Sequence, residues 1–280
     1  MIDQQLTLNC KGRLLDLSSP IVMGILNVTP DSFYDGGKFK SDKNILEQSG
    51  KMIREGVSII DIGGVSTRPG AVKVSIEEEI NRVVPVIRSI QKEFSDAVLS
   101  IDTYRSEVLK AAFNEGVSMI NDVSAGRFDD KLFSAVGQLD IPYVLMHMQG
   151  SPENMQEHPI YNNVIEEVVD FMIGKIKELR VEGIKDIIID PGFGFGKTVA
   201  HNFELLKQMH TFKILGIPIL AGISRKSMIC KVLKINPKDA LNGTTALHMI
   251  ALQQGANIIR THDVKEAIET IKLWQQLEAN

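Results

Sequence analysis

The stretch Asp190-Pro191-Gly192-Phe193-Gly194-Phe195-Gly196-Lys197 follows the apolar run Ile187-Ile188-Ile189. A buried strand therefore delivers a carboxylate to the start of a glycine-rich loop. Pro191 ends the strand, because it has no N–H to give the ladder. The alternate glycines suggest backbone passing close to a flat group, with Phe193 and Phe195 as apolar faces beside it. Two phosphate-binding patterns do not fit. A P-loop would need a glycine where Pro191 stands, and a dinucleotide fingerprint built on Gly192 and Gly194 would need one where Lys197 stands. Taken alone, the stretch could also be an ordinary strand-to-helix turn with a capping aspartate.

Other apolar runs end in the same way. Asn27, Asp61, Asp102, Asn121, Asp122, His147, Asp190, Lys226, Arg260 and His262 all stand at or just past such ends. Buried carboxylates are costly unless paired, so a set of them at one mouth points to a ligand. Asp102, Asn121 and Asp190 suit a flat heterocycle with adjacent N–H donors, such as a 2-amino-4-oxo pyrimidine edge. Lys226 can hydrogen-bond a ring carbonyl or nitrogen. Met146 can pack on the ring plane, or simply fill core.

Arg260 and His262, the segment 224–227, and Thr67 with Arg68 offer donors for an anionic leaving group such as diphosphate. Asn27 offers a neutral oxygen, and Mg²⁺ held by one protein oxygen, water and phosphate oxygens would be normal. Asp35 could stabilise a developing cation or receive a proton. Ser227 opens a helix, where an anion is favoured. Duller readings exist for several of these. His147 reads best as a satisfied strand-end histidine. Asp61 and Asp122 could hold loop backbones, His262 could cap a helix, and His158 and His201 default to the surface.

The positioning elements are legible as a repeat. Apolar runs at 21–26, 58–63, 98–103, 117–122, 143–147, 187–189, 217–223 and 257–260 alternate with helical patterns. Ser75 with Glu78 reads as a capping box for one of those helices. Almost wholly apolar strands imply burial on both faces and a parallel sheet. Eight such units without a change in composition imply one (β/α)₈ barrel, whose chemistry sits at the C-terminal strand ends. A doubly wound open sheet would need a topological switch that the regular alternation does not suggest. Residues 6–17 alternate around Lys11-Gly12 and read as a β-hairpin covering the barrel bottom. The expected organisation is an extension over 1–20 and one barrel over 21–280.

The 280 residues are 44% hydrophobic and 24% charged, with net charge -4, so no global basic field favours nucleic acid. Two cysteines without metal-ligand neighbours suggest a reduced, cytoplasmic setting. The N-terminus lacks a signal-peptide pattern, and no apolar run approaches a membrane span.

Seven motifs in register resemble dihydropteroate synthase, a family of pterin-binding barrels. They are Met23–Phe33, Ser66–Gly70, Ser100–Thr103, Ile120–Val123, Asp190–Lys197, Ser224–Ser227 and Arg260–Asp263. The resemblance implies a (β/α)₈ enzyme of folate synthesis that joins 6-hydroxymethyl-7,8-dihydropterin diphosphate to p-aminobenzoate with Mg²⁺, commonly as a homodimer. By matched position, Asp102, Asn121, Asp190 and Lys226 would hold the pterin. Asn27 would reach Mg²⁺, and Thr67, Arg68, Arg260 and His262 would meet the phosphates. Phe33, Pro69, Phe195 and Ser227 would surround p-aminobenzoate. Val65 and Tyr34 depart from the usual pattern. A corrinoid-methyltransferase-type pterin barrel is the alternative, but it has no need of the first-loop motif or of Arg260 and His262. A catalytically silent paralogue would have no need of Lys226, Arg68, Arg260 and Asp35.

Overall fold

The computed structural model describes residues 5–28, 38–66, 74–151, 155 and 159–279. It opens with an antiparallel pair, β1 (Thr7–Cys10) and β2 (Arg13–Asp16), joined at Lys11 and Gly12. Both turn residues have positive φ, 59° and 87°, which the right-handed strand twist favours in a two-residue hairpin. The Asn9 side chain accepts from the Gly12 N–H at 2.7 Å and fixes the turn.

Eight parallel strands follow: β3 (Ile21–Asn27), β4 (Ile59–Gly63), β5 (Val98–Asp102), β6 (Met119–Asp122), β7 (Tyr143–Met146), β8 (Ile187–Asp190), β9 (Leu220–Ala221) and β10 (Ile258–Thr261). Ladder order is β8-β7-β6-β5-β4-β3-β10-β9. A single bridge between Ile189 and Ile219 joins the two ends into a ring. Strand β9 is shorter than the seven-residue run in the sequence. Pro218 has no N–H, so it contributes only its carbonyl, which accepts from Ile189 at 2.9 Å.

Helices return the chain between strands: α1 (Lys38–Arg54), α2 (Ile76–Glu93), α3 (Ser106–Asn114), α4 (Leu132–Leu139), α5 (Val164–Val181), α6 (Val199–Lys207), α7 (Ser227–Leu233), α8 (Leu241–Gln253) and α9 (Val264–Glu278). The arrangement is the (β/α)₈ barrel expected. Ser75 caps α2 by accepting from the Glu78 N–H at 3.1 Å. The reciprocal half of a capping box is not formed, because the Glu78 carboxylate pairs with Arg82 at 3.0 Å. A reciprocal box does occur on α6, between Thr198 and His201, which gives that histidine a structural role.

Period two along each strand decides what faces inward. Met23, Ile59, Val98, Met119, Val144, Ile188, Leu220 and Ile258, one from each strand, pack against Leu8, Cys10 and Leu17 of the hairpin segment. The hairpin thus plugs the barrel bottom. Asp186 holds it there, accepting from the Asn9 N–H at 2.9 Å and from the Gln5 side chain. Burial pushes the Cys10 thiol up to about 12, with nearby Asp186 adding to the effect, so it stays protonated in this apolar floor.

Candidate active site

Counting by twos from the apolar floor reaches the mouth. Ile59 leads to Asp61, Val98 to Ser100 and Asp102, and Met119 to Asn121. Val144 leads to Met146, Ile188 to Asp190, Leu220 to Gly222, Ile258 to Arg260 and Met23 to Asn27. One alternation therefore supplies both the dry plug and the polar layer above it.

Arg260 organises one side of that layer. Its Nε donates to Asp61 Oδ2 at 2.7 Å and its Nη2 to Asp102 Oδ2 at 2.8 Å. Asn121 Nδ2 donates to the same Asp61 oxygen at 2.9 Å. Asp61 is fully buried, and its Oδ1 is a buried atom without a hydrogen-bond partner. Burial raises the Asp102 carboxyl to about 7; Arg260 opposes that rise and Asp61 reinforces it.

Asp190 and Lys226 form the other side. Asp190 accepts from the Gly192 N–H at 2.7 Å, and burial raises its pKa against the opposing pull of Lys226. Lys226, the residue preceding α7, donates to the Phe193 carbonyl and sits 4.7 Å from the centre of the Phe195 ring. Burial lowers its ammonium to about 8, with Asp190 resisting. Gly222 leaves the wall open between them: a Cβ there would lie 3.6 Å from Asp190 Oδ2 and 3.8 Å from Lys226 Nζ. Met146 packs with Val123, Met148, Met155, Tyr104 and Phe195 in an apolar patch beside this layer.

The glycine-rich loop is shaped by protein rather than by a flat group. Gly192 and Gly196 have φ of 75° and 61°. A Cβ on Gly192 would fall 1.8 Å from the His147 carbonyl oxygen, and one on Gly196 would fall 2.4 Å from that of Gln149. Both glycines let the loop press onto the chain leaving β7. Phe193, expected beside a ligand, is fully buried in the core between strands and helices, so only Phe195 is partly open.

On the loops after β9 and β10, Ser224 Oγ lies 3.0 Å from His262 Nδ1. Arg225 is fastened to Asp263, with Nε to Oδ2 at 2.9 Å and Nη2 to Oδ1 at 2.5 Å. Ser227 is exposed at the first position of α7, and Asn27 is exposed at the end of β3. Phe33, Asp35, Thr67, Arg68 and Pro69 lie outside the described residues. The flanking loop after β4 is tied down by Arg82, whose Nη1 donates to the Gly64 carbonyl at 3.0 Å. Buried Glu79 binds Thr103 Oγ1 and Arg105 Nη1, each at 2.8 Å.

Two strand-end residues are occupied elsewhere. Asp122 accepts from Tyr143 Oη at 2.5 Å, Ser124 N at 2.7 Å and Gly126 N at 2.8 Å, so it holds loop backbone as one reading of the sequence had it. His147 faces Lys197, and burial together with that cation depresses its imidazole to about 2. Sequence reasoning missed Lys197 itself, Glu79, and the central place of Asp61. For Asp61 the signal was available in its parity with Ile59.

The whole arrangement can grip a flat, hydrogen-bonding heterocycle between carboxylates, an amide and a cation, with further donors on the β9 and β10 loops. A family model for pterin binding enzymes matches residues 23–262. The dihydropteroate synthase of Escherichia coli (strain K12) is 44% identical over 265 residues, covering 94% of this chain and 93% of that protein. The structure of Xanthomonas albilineans dihydropteroate synthase with 4-aminobenzoic acid superposes with a TM-score of 0.92 at 41% identity, over 98% of this chain and 99% of that one. A structure of the Xanthomonas albilineans enzyme in complex with 7,8-dihydropteroate gives 0.88 at 39% identity, with 98% and 99% covered. The chain belongs to the dihydropteroate synthase family.

Proposed function

We propose that the barrel mouth condenses 6-hydroxymethyl-7,8-dihydropterin diphosphate with p-aminobenzoate, giving 7,8-dihydropteroate and diphosphate. The observation that carries this reading is the inward layer of Asp102, Asn121, Asp190 and Lys226 above a dry plug. The solved Xanthomonas albilineans relatives hold 4-aminobenzoic acid in one structure and 7,8-dihydropteroate in another, which supports the same substrate and product here.

In this reading Asp190, Asp102, Asn121 and Lys226 hold the pterin edge, and Met146 packs beside its plane. The carbon–oxygen bond to diphosphate breaks, leaving a methylene cation delocalised into the ring. The aniline nitrogen then forms the new carbon–nitrogen bond and loses a proton. Arg260 and His262, with Thr67 and Arg68, stabilise charge on the leaving group. Asp35, Arg68 and Lys226 are the residues assigned to the chemical step. Phe195 and Ser227, with Phe33 and Pro69, form the p-aminobenzoate subsite. A weak neutral amine attacking a cation needs no strong base.

Mg²⁺ fits the donor set. Among the described residues, no group of three or more His, Cys, Asp or Glu side chains is placed to hold a metal. Asn27 Oδ1 and Asp102 Oδ2 nevertheless flank Gly63, at 3.4 and 3.9 Å from where a Cβ there would sit. An ion that takes one protein oxygen and completes its shell from phosphate and water suits Asn27. When bound it would neutralise charge on the departing diphosphate.

A homodimer in the cytoplasm is part of the same proposal. Apolar Val232 and Leu233 on α7, Ile250 on α8, and Leu273 and Leu277 on α9 are exposed on helices that pack in sequence, which supports a self-association face. No helix among the described residues is long and apolar enough to cross a membrane. The division into an extension over 1–20 and a barrel over 21–280 rests on the hairpin forming its own sheet. The reading is tested by incubating the protein with pterin diphosphate, p-aminobenzoate and Mg²⁺ and following dihydropteroate by chromatography. Product formation that needs both substrates is expected, and hydrolysis to hydroxymethylpterin alone would reject it.

A further inference from the structure

Lys197 closes the glycine-rich loop and is almost fully buried, with 3% of its surface exposed. A buried ammonium is expensive unless its three protons are used. Here they are. Its Nζ lies 2.8 Å from His147 Nδ1, 3.0 Å from the Gly192 carbonyl and 3.1 Å from the Phe195 carbonyl, with the His147 carbonyl at 3.4 Å. The cation thus gathers the loop's first and fourth residues after Pro191 onto the end of β7.

Those two residues also meet the working groups through their other atoms. The Gly192 N–H is the donor to Asp190 Oδ1, and the Phe195 ring lies against Lys226 Nζ. The intervening Phe193 carbonyl accepts from Lys226. The rest of the loop is fastened separately. Asn202 Oδ1 accepts from the Gly194 N–H at 2.6 Å, and Tyr161 Oη donates to the Gly196 carbonyl at 2.8 Å. Among the described residues, Lys197 is the one that reaches both the Asp190 side and the Lys226 side of the loop from one atom.

We propose that Lys197 is a positioning residue for the pterin subsite, holding Asp190 and Lys226 in register through the carbonyls of Gly192 and Phe195. It touches neither substrate. The inference rests on the assignment of Asp190 and Lys226 to the pterin. Its direct consequence is an unequal effect on the two substrates: loss of the clamp disturbs the pterin edge through both carbonyls and reaches the p-aminobenzoate side only through Phe195. Burial lowers the Lys197 pKa, and nearby Asp190 opposes that fall.

The test uses full-length Lys197→Met, which keeps length and apolar bulk but has no donor, and Lys197→Arg, which keeps charge and donors. Tyr161→Phe, which removes one fastening at Gly196, controls for general loosening of the loop, and Asp190→Asn is the reference. Steady-state constants for both substrates are measured along with thermal unfolding. The Met variant is expected to raise KM for pterin diphosphate at least tenfold, with a several-fold smaller rise in KM for p-aminobenzoate. The Arg variant is expected to recover most of the loss, and Tyr161→Phe to lower the unfolding midpoint without that split. Equal changes in both KM values, or an unchanged pterin KM in Lys197→Met, would overturn the positioning role. If Lys197→Met does not fold, the same split is read from Lys197→Arg at the level of its residual defect, and a defect shared equally by both substrates rejects the role. If Asp190→Asn is also unimpaired, the pterin assignment itself fails; if it alone is impaired, only the role of Lys197 does.

Discussion

Asp61 accepts from Arg260 Nε at 2.7 Å from a position with no exposure to solvent. The pair joins the second and last strands of the barrel across its interior, and Asn121 and Asp102 are attached to it. Removing one member of a buried pair leaves the other without compensation and commonly costs about 3–5 kcal/mol. Asp102 remains as a second partner for Arg260, so Asp61→Asn is expected near the lower end of that range. Urea unfolding should show the loss, together with weaker pterin binding because Asn121 and Arg260 each lose the charged partner they share. An unchanged midpoint would mean that the pair contributes nothing to the fold.

The pterin side should titrate near neutrality. Asp102 is raised to about 7 and Lys226 lowered to about 8. If pterin binding needs the carboxylate and the ammonium, kcat/KM for pterin diphosphate falls as pH drops through about 7 and again as it rises through about 8. The two limbs belong to the interacting set rather than to single residues. Lys226→Arg should remove the alkaline limb, and a wild-type profile flat from about pH 6 to about pH 9 would contradict the assignment. The linked stability has definite signs. The raised Asp102 contributes stability that is present below its unfolded value of 3.8 and lost as pH rises through about 7. The lowered Lys226 contributes stability present above its unfolded value of 10.5 and lost as pH falls through about 8.

Two positive-φ glycines should respond very differently to a methyl group. Gly12 has φ 87° and no heavy atom within 4 Å of the added Cβ, whereas the Cβ on Gly192 would meet the His147 carbonyl at 1.8 Å. Gly12→Ala should cost about 1–2 kcal/mol, the conformational term alone. Gly192→Ala should cost more than ~3 kcal/mol or fail to fold, because backbone has to move. Thermal unfolding of the two variants separates the effects, and similar losses would show that the close approach is relieved cheaply.

The barrel was legible because its strands are apolar runs of regular spacing, and buried parallel strands leave that trace. The mouth was legible at Asp102, Asn121, Asp190 and Arg260 because each ends such a run. Parity would have sharpened the reading. Asp61 shares the inward face with Ile59, while Asp122 lies on the opposite face from Asn121 and His147 from Met146. The glycine loop misled because a positive φ and a close approach look alike in sequence whether the neighbour is a ligand or a carbonyl. Lys197 was hidden for a related reason: lysine is seldom buried, and only the four oxygen and nitrogen atoms around its Nζ reveal why this one is.

Calorimetric titration of 6-hydroxymethylpterin into the wild-type protein and Asp190→Asn tests the central assignment most directly. The Asn side chain keeps the size and one acceptor but loses the charge that faces Lys226. Truncating a buried charge-assisted contact costs roughly 2–5 kcal/mol, which is about thirtyfold or more in affinity. The account predicts that loss in a variant that still unfolds cooperatively; near-native pterin affinity in folded Asp190→Asn would contradict it.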